Sequence, residues 1–350
     1  MPNRMAFVVR KGKQKATQIL AEDDGTGVVS PITRLLLSDR TPKMIQTVYS
    51  DYVQTPIDAA AMSLLQDEKK DSIKRSDVVN CKGKADQIIS IKGIWLPKEV
   101  SYFSASCDGG QSPQVPINQR NDITDEVEGQ QKHMGVNTVH RLYLATAYTL
   151  LKRQNTGVAA LLVDPTGKIV AYGRKNTVHP LLHAEASILI QRNTKMPKEA
   201  CIYSTLQPCK FCRAVIAGFA DGDYTVYYGQ QDNTGKAMMG ADSKYILMTG
   251  DYQTKNYSAK PIWLSKERGG TTTAAKLNED YTTLKDKMRG EQGIIDFISS
   301  NKKAEAVISK ATDFLTIKMK DYKSQQRKKT YNENVRKCLE HIADFLARYN

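Results

Sequence analysis

Residues 182–219 read LHAEASILIQRNTKMPKEACIYSTLQPCKFCRAVIAGF, and this stretch decides the fold of the central part of the chain. Apolar residues recur at helical spacing in Leu182–Arg192 and again in Cys209–Phe219, so both segments are predicted to be helices. Between them, Ala200–Thr205 contains β-branched and aromatic residues in a short run, which is typical of a strand. The stretch therefore predicts a helix, a strand and a second helix.

The alternation of helices and strands continues outward on both sides of this stretch. A helical stripe and a hairpin precede it, and two further strands follow it. Such an order predicts a three-layer α/β/α domain built on one sheet. The segments concerned are the helix Asn137–Arg153, the hairpin strands Val158–Val163 and Lys168–Tyr172, and the strands Tyr224–Gly229 and Tyr245–Thr249.

Four side chains in the opening stretch form a candidate metal site. Cys209 and Cys212 are three residues apart at a predicted helix start, which places both sulfurs on one helix face. The positive end of that helix favours thiolates, the form of cysteine that binds zinc. His183, at the start of the preceding helix, supplies a nitrogen, and three protein ligands leave a tetrahedral zinc open to water. Glu185 then lies close enough to move protons without binding the metal.

Each of these residues also has a structural explanation. A histidine before a helix is usually a cap or a core residue, and a glutamate in a first turn complements the helix dipole. The two cysteines could be half of a four-cysteine structural zinc site. However, none of the other cysteines, at positions 81, 107, 201 and 338, forms a second close pair. A histidine, a glutamate and a Pro-Cys-x-x-Cys run in this order indicate a zinc deaminase of nucleobases.

On these residues, the chain resembles the cytidine deaminase-like superfamily over residues 137–264. Residues 205–212, TLQPCKFC, look like the version of the motif in tRNA adenosine deaminases, and residues 227–235, YYGQQDNTG, resemble the strand and loop that follow it there. Two features depart from that pattern. Gln207 stands where that branch usually has glutamate, and Lys210-Phe211 replaces a pair that is commonly small or contains methionine.

The resemblance implies a fold and a set of roles. The fold is a mixed five-stranded sheet sandwiched by helices, with one zinc ion per chain. Glu185 is implied to be the proton shuttle, and the backbone at Ala184 and Pro208 is implied to hold the base. Asn176, at the end of a predicted strand, corresponds to an asparagine that contacts the sugar or the base, although asparagine is also a common turn residue. Many relatives assemble through faces near the site, so a homodimer is a further expectation.

Aromatic residues near the motif have two readings. Tyr227, Tyr228 and Phe211 could stack against a base that is flipped out of a nucleic acid. Aromatic residues in strands and at helix starts belong more often to the core, and His140 and His179 are likewise interpreted as structural.

The remaining sequence predicts two flanking regions. Residues 1–132 form an N-terminal α/β domain of unknown role, with strands Arg4–Arg10 and Gln87–Leu96 and a helix that Thr55 caps. Residues 133–264 form the zinc domain, and residues 265–350 form a basic helical region with helices near 271–289, 291–323 and 326–349. The N-terminal extension resembles that of predicted bacterial RNA-editing deaminases.

The charge of the chain favours a polyanionic partner. The formal net charge is +14, and nearly all of the excess lies in residues 137–350. We therefore expect deamination of adenine or cytosine in RNA, with tRNA or rRNA as the first candidates. A lysine-rich solubilising surface is the alternative explanation of the charge. Deamination of free bases, nucleosides or nucleotides, a zinc-stabilised RNA-binding protein without turnover, and a secreted mutator toxin are the other readings.

The sequence also predicts where the protein resides. No apolar run reaches the length of about 18 residues that a membrane span needs, and the apolar start is too short for a secretory signal. We therefore expect a cytoplasmic protein that contacts no membrane.

Overall fold

The computed structural model describes the helices, the strands and the candidate metal-site residues in part of the chain. The predicted domain boundaries at 132/133 and 264/265 and the predicted helix at 271–289 lie outside the described residues. The described residues are 6–10, 16–21, 28–38, 44–50, 52, 54–69, 74–77, 85–91, 103–104, 138–154, 157–175, 179–230, 232, 245–247, 252–254, 257–259, 302–325 and 333–349.

The N-terminal region is an α/β unit, as predicted. Its elements are β1 (Ala6–Arg10), β2 (Ala16–Ala21), α1 (Pro31–Ser38), β3 (Ile45–Ser50), α2 (Pro56–Lys69), β4 (Lys74–Asp77) and β5 (Ala85–Ile91). The strands form one sheet in the order β4-β3-β1-β2-β5, and α1 packs against β1 and β2. Three of these strands and α1 were not predicted from the sequence.

A buried carboxylate joins the two helices of this unit. Asp58, in the first turn of α2, accepts hydrogen bonds from the Thr33 N–H (3.0 Å) and the Thr33 hydroxyl (2.6 Å) in α1. It also accepts the Thr55 N–H (2.9 Å), while the Thr55 hydroxyl oxygen accepts the Asp58 N–H (3.2 Å). This reciprocal pair is a capping box, so the predicted N-cap at Thr55 is confirmed. The shared carboxylate holds α1 and α2 together as one pair.

The central region contains the predicted alternation of helices and strands. Its elements are β6 (Phe103–Ser104), α3 (Thr138–Gln154), β7 (Ala159–Val163), β8 (Ile169–Arg174), α4 (Ala184–Arg192), β9 (Ala200–Ser204), α5 (Lys210–Phe219), β10 (Tyr224–Tyr228) and β11 (Tyr245–Leu247). Two short strands, β12 (Tyr252–Thr254) and β13 (Tyr257–Ala259), pair with each other in a separate hairpin.

The central sheet is mixed and has six strands in the order β11-β10-β9-β7-β8-β6. The strand β7 runs antiparallel to β8 and β9, whereas β9, β10 and β11 are mutually parallel. Five strands were predicted, and the sixth, β6, pairs with the edge of β8 from outside the predicted zinc domain. Two residues are too few to show a period in hydrophobicity, so this strand left no signal in the sequence.

Two neighbouring residues of β9 show that helices cover both faces of this sheet. The hydroxyl of Tyr203 contacts His140 of α3, and the hydroxyl of the next residue, Ser204, contacts Glu185 of α4. Because successive side chains of a strand point to opposite faces, α3 and α4 lie on opposite sides of the sheet. The helix α5 packs beside α4. The predicted three-layer α/β/α fold is confirmed.

Two C-terminal helices extend the layer that contains α3. They are α6 (Lys302–Gln325) and α7 (Glu333–Tyr349). Both pack against α3, and α7 also contacts β8. Their buried residues recur at helical spacing, which agrees with the predicted amphipathic pattern. No helix among the described residues has the length and apolar character needed to cross a membrane.

Candidate metal centre

Two helix N-termini converge on the predicted metal ligands. His183 is the N-cap residue of α4, and Cys209 is the N-cap residue of α5. Neither side chain caps its own helix by a hydrogen bond. Cys212 follows one turn into α5, on the same side as Cys209. The two helices were predicted to start at Leu182 and Cys209, within two residues of the observed starts.

The three ligand side chains lie close to one another. The Cys209 Sγ is 3.3 Å from the His183 Nδ1, and the ligand atoms of His183, Cys209 and Cys212 all lie within 4.8 Å of one another. A tetrahedral zinc ion with bonds of about 2.0–2.3 Å separates its ligand atoms by about 3.5–3.8 Å. Both cysteines are buried free thiols, and His183 is partly buried. This donor set, one imidazole nitrogen and two sulfurs, can hold a metal ion.

The two thiols differ in the ease with which they ionise. Burial opposes ionisation of Cys209, but the Cys212 thiol and the His183 ring stabilise the thiolate and lower the pKa of Cys209 well below its usual value. Burial and the neighbouring Cys209 thiolate raise the pKa of Cys212 well above its usual value. A bound cation removes this asymmetry because it stabilises both thiolates.

Glu185 lies in the first turn of α4, two residues after the ligand His183. Its side chain is only 3% exposed, and the Ser204 hydroxyl donates a hydrogen bond of 2.5 Å to its Oε1. Burial raises the pKa of Glu185 above its ordinary value, and the hydrogen bond from Ser204 partly offsets this effect. A carboxyl with a raised pKa binds a proton more readily than an ordinary glutamate, which suits a group that takes up and releases protons.

A glycine in β8 allows α4 to approach the sheet. A Cβ atom added to Gly173 would collide with the backbone carbonyl of Ala184 and would lie 2.8 Å from the Ile188 Cγ1. A backbone atom at this position cannot rotate away as the end of a side chain can. The short contact therefore fixes the first turn of α4, which carries Glu185, against the sheet.

The predicted substrate-binding residues have different outcomes. Ala184 and Pro208 are both buried at the starts of the two ligand helices, beside His183 and Cys209 respectively. Pro208 directly precedes the N-cap residue Cys209 and therefore lies outside α5. Asn176 lies outside the described residues. Their contact with a substrate stays a prediction.

The residues at both departures from the tRNA adenosine deaminase motif contact neighbouring parts of the chain or the core. The Gln207 Oε1 accepts a hydrogen bond from the Asp232 N–H at 3.1 Å, a bond that a carboxylate oxygen in this position could equally accept. The Lys210 ammonium donates a hydrogen bond of 2.5 Å to the Ser63 hydroxyl of α2. Phe211 is fully buried in the core. These residues bind neighbouring parts of the chain.

The aromatic residues near the motif belong to the core. Tyr227 stacks on His140 with ring centroids 4.0 Å apart, and its hydroxyl lies 3.0 Å from the His140 Nε2. His140 belongs to α3, on the face of the sheet opposite to Glu185. Tyr228 is also buried, at 8% exposed. The structural reading of Tyr227, Phe211 and His140 is confirmed, and Tyr227 faces away from the candidate site.

Two residues near the site were missed in the sequence. Ser204 is the last residue but one of the predicted strand Ala200–Thr205, where a serine has no distinguishing signal. Gly173 directly follows the predicted strand Lys168–Tyr172 and lies inside the observed β8 (Ile169–Arg174), where a glycine indicates a bulge or a close backbone approach. A strand prediction one residue longer could have identified Gly173, whereas Ser204 needed the three-dimensional structure.

The comparisons with known proteins agree with this geometry. Residues 149–242 match the family model of the Bd3614-like deaminase. No curated protein matches the chain. The matched region begins within α3, ends after β10, and contains His183, Glu185, Cys209 and Cys212. The matched region is a deaminase domain of the cytidine deaminase-like superfamily.

Proposed function

We propose that the chain is a zinc-dependent hydrolytic deaminase that acts on adenine or cytosine in RNA. The observation that carries this proposal is the position of Glu185, a buried carboxyl with a raised pKa, directly beside the His183–Cys209–Cys212 donor set. A structural zinc site needs no proton carrier, and a catalytic one does.

Zinc fits this donor set by its chemistry. One imidazole and two thiolates are ligands that zinc prefers, and three protein ligands leave one coordination position open. The positive ends of α4 and α5 favour the thiolate forms. We assign His183, Cys209 and Cys212 as the ligands of one zinc ion per chain. In such a site the ion activates water for attack on an electrophilic carbon.

In the proposed reaction, Glu185 moves the protons. The oxygen of a water molecule bonds to the amino-bearing carbon of the ring, and Glu185 takes a proton from that water. It delivers this proton to the ring nitrogen. Glu185 then takes the proton of the added hydroxyl and gives it to the amino group, the C–N bond breaks as the oxygen forms the carbonyl, and ammonia leaves. The Ser204 hydroxyl holds one carboxylate oxygen of Glu185 in place during these transfers. The backbone at Ala184 and Pro208 is proposed to orient the base.

The RNA part of the proposal is supported by charge. The chain carries a net charge of +14, and Lys302, Lys320 and Lys323 of α6 are exposed. Lys320 and Lys323 are three residues apart on the helix and therefore lie near one another, which favours contacts with phosphates. The helix α6 lies in the layer of α3, on the side of the sheet opposite to Glu185. An RNA that contacts α6 and also places a base beside Glu185 must therefore pass around the edge of the sheet.

Ammonia release from a panel of substrates tests this function. We expect release from RNA and much less from free bases, nucleosides and nucleotides. Glu185→Gln should lower kcat by about 10²–10⁴-fold, the usual contribution of a proton carrier, while the zinc content stays near one ion per chain. Full activity of Glu185→Gln with zinc bound would contradict the mechanism. A zinc-loaded protein that releases ammonia from no substrate would be a binding protein.

A further inference from the structure

The two N-terminal helices contact both segments that carry metal ligands. The helix α2 packs against α5, which starts at the ligand Cys209 and carries Cys212. The last turn of α1 contacts the turn that leads into His183. Because Asp58 holds α1 and α2 together, the two contacts act on the site as one unit.

His179 makes the contact with α1. Its side chain is 1% exposed, and its Nε2 lies 3.0 Å from the carbonyl oxygen of Leu36. Leu36 lies in the last turn of α1, where backbone carbonyls have no partner within the helix. A carbonyl oxygen only accepts hydrogen bonds, so the Nε2 of His179 carries the proton and donates.

The other nitrogen of His179 continues this contact towards the metal site. The Leu181 N–H donates to the His179 Nδ1 at 3.2 Å, and the His183 N–H donates to the Leu181 carbonyl at 3.0 Å. The Lys175 ammonium adds a hydrogen bond of 3.4 Å to the Pro180 carbonyl. An unbroken series of three hydrogen bonds thus joins α1 to the backbone of His183.

A second contact joins the N-terminal unit to the other ligand helix. Lys210, the residue between Cys209 and Phe211, donates a hydrogen bond to the Ser63 hydroxyl of α2. Ile57 of α2 packs on Gly218 near the far end of α5. The helix α5 is therefore held against α2 at both of its ends.

From these contacts we infer that His179 is a positioning residue of the metal site, through which the N-terminal helices hold His183 in reach of Cys209 and Cys212. This inference rests on the proposed zinc function. Its physical basis is that the ligands come from two helices, His183 from the start of α4 and the two cysteines from α5. His183 also stands on a turn rather than inside a helix. A ligand on a turn needs an external anchor to keep its geometry, and partners of this kind tune metal affinity.

Zinc binding by the full-length chain tests this inference without a substrate. His179→Phe keeps the bulk of the ring and removes both hydrogen bonds. We expect its zinc dissociation constant, measured by competition with a chromogenic chelator, to rise by about 10–100-fold. His179→Gln retains an amide donor that can reach the Leu36 carbonyl, and should weaken zinc binding by about tenfold or less. The absorption bands of bound cobalt should change in shape in His179→Phe, because they report the ligand geometry.

His140 supplies a matched control. It is also 1% exposed, and both of its ring nitrogens also contact hydrogen-bonding groups, the hydroxyls of Tyr203 and Tyr227. It lies on the opposite face of the sheet, away from the ligands. His140→Phe should lower the melting temperature as His179→Phe does, but should leave the zinc dissociation constant within about twofold of the wild-type value, as expected for a distant site.

Three outcomes overturn the inference. One is wild-type zinc affinity and an unchanged cobalt spectrum in His179→Phe. Another is an equal loss of zinc affinity in His140→Phe, which would indicate general destabilisation. In both cases the proposed function survives. The third is a wild-type chain that binds no zinc, which ends the proposed function as well. If either Phe variant does not fold, His179→Leu and His140→Leu, which also remove both ring hydrogen bonds, are compared by the same criterion.

Discussion

The two largest influences on the pKa of Glu185 have opposite signs. Burial favours the neutral acid, and the hydrogen bond from Ser204 favours the carboxylate. Ser204→Ala removes only the second influence, so the pKa of Glu185 should rise further. Because the ionised carboxylate accepts the proton from water, activity falls as the pH drops below that pKa. We expect the acid limb of the kcat/KM profile to move to higher pH in Ser204→Ala.

Ser187 provides the control for this prediction. It is also a serine near the site and 1% exposed, but its hydroxyl has no hydrogen-bond partner among the described residues. Ser187→Ala should therefore leave the pH profile of kcat/KM unchanged. An acid limb that stays in place in Ser204→Ala, or that moves equally in Ser187→Ala, would show that the Ser204 hydroxyl does not set the protonation of Glu185.

The number of residues that separate two contacting side chains in the sequence explains which site residues could be predicted. His183 and Glu185 are two residues apart, and the two cysteines are three apart at a helix start, so their relation is visible in the sequence. Ser204 meets Glu185 across 19 residues, and His179 meets Leu36 across 143. No local pattern encodes such contacts, because they depend on how complete elements pack.

At the scale of elements, the distance between β8 and α4 sets the position of His183 and Glu185, which lie at the start of α4. Gly173→Ala places a methyl group against the Ala184 carbonyl, and backbone atoms must move to accept it. We expect a loss of about 1–3 kcal/mol in the free energy of unfolding, as in other overpacked cores. Zinc affinity should also fall, because α4 carries His183 at its start. Chemical denaturation and chelator competition measure the two effects.

Gly218→Ala is the matched substitution in α5. Its new methyl group would lie 2.8 Å from the Ile57 Cδ1, the far end of a flexible side chain that can rotate. Replacing a helical glycine by alanine also gains about 1 kcal/mol in helix propensity. The net change in the free energy of unfolding should be small, and zinc affinity should stay the same. Equal losses in the two variants would mean that the Gly173 contact has no special role.

The same scale shows why some elements were not predicted. The strand β4 has the sequence KRSD and lies at one edge of the N-terminal sheet, where polar residues discourage pairing with another chain. A strand without apolar residues shows no alternation for sequence analysis to detect. The helix α1 spans only eight residues, Pro31–Ser38, which is too short for a helical period to stand out in the sequence. The elements with a periodic apolar face, such as α3 and α5, were predicted correctly.

Across the whole molecule, the C-terminal helices present their positive charge in two different ways. Arg336 and Lys337 of α7 form ion pairs with Glu340 (2.7 Å) and Glu333 (2.9 Å). Lys320 and Lys323 of α6 are exposed and have no carboxylate partner among the described residues. Only cations without such partners are fully available to phosphates. The proposed RNA contact should therefore depend on α6 more than on α7.

Two double variants with equal loss of charge test this difference. Lys320→Gln with Lys323→Gln should weaken RNA binding, and should make the slope of log affinity against log salt concentration shallower by about 1.4, since each of the two lost contacts with single-stranded phosphate removes about 0.7. Arg336→Gln with Lys337→Gln removes the same charge but should change the slope far less. Equal effects of the two pairs would mean that net charge alone attracts RNA. An affinity of the wild-type chain that hardly changes with salt would remove RNA from the proposed function, because phosphate contacts always release counterions.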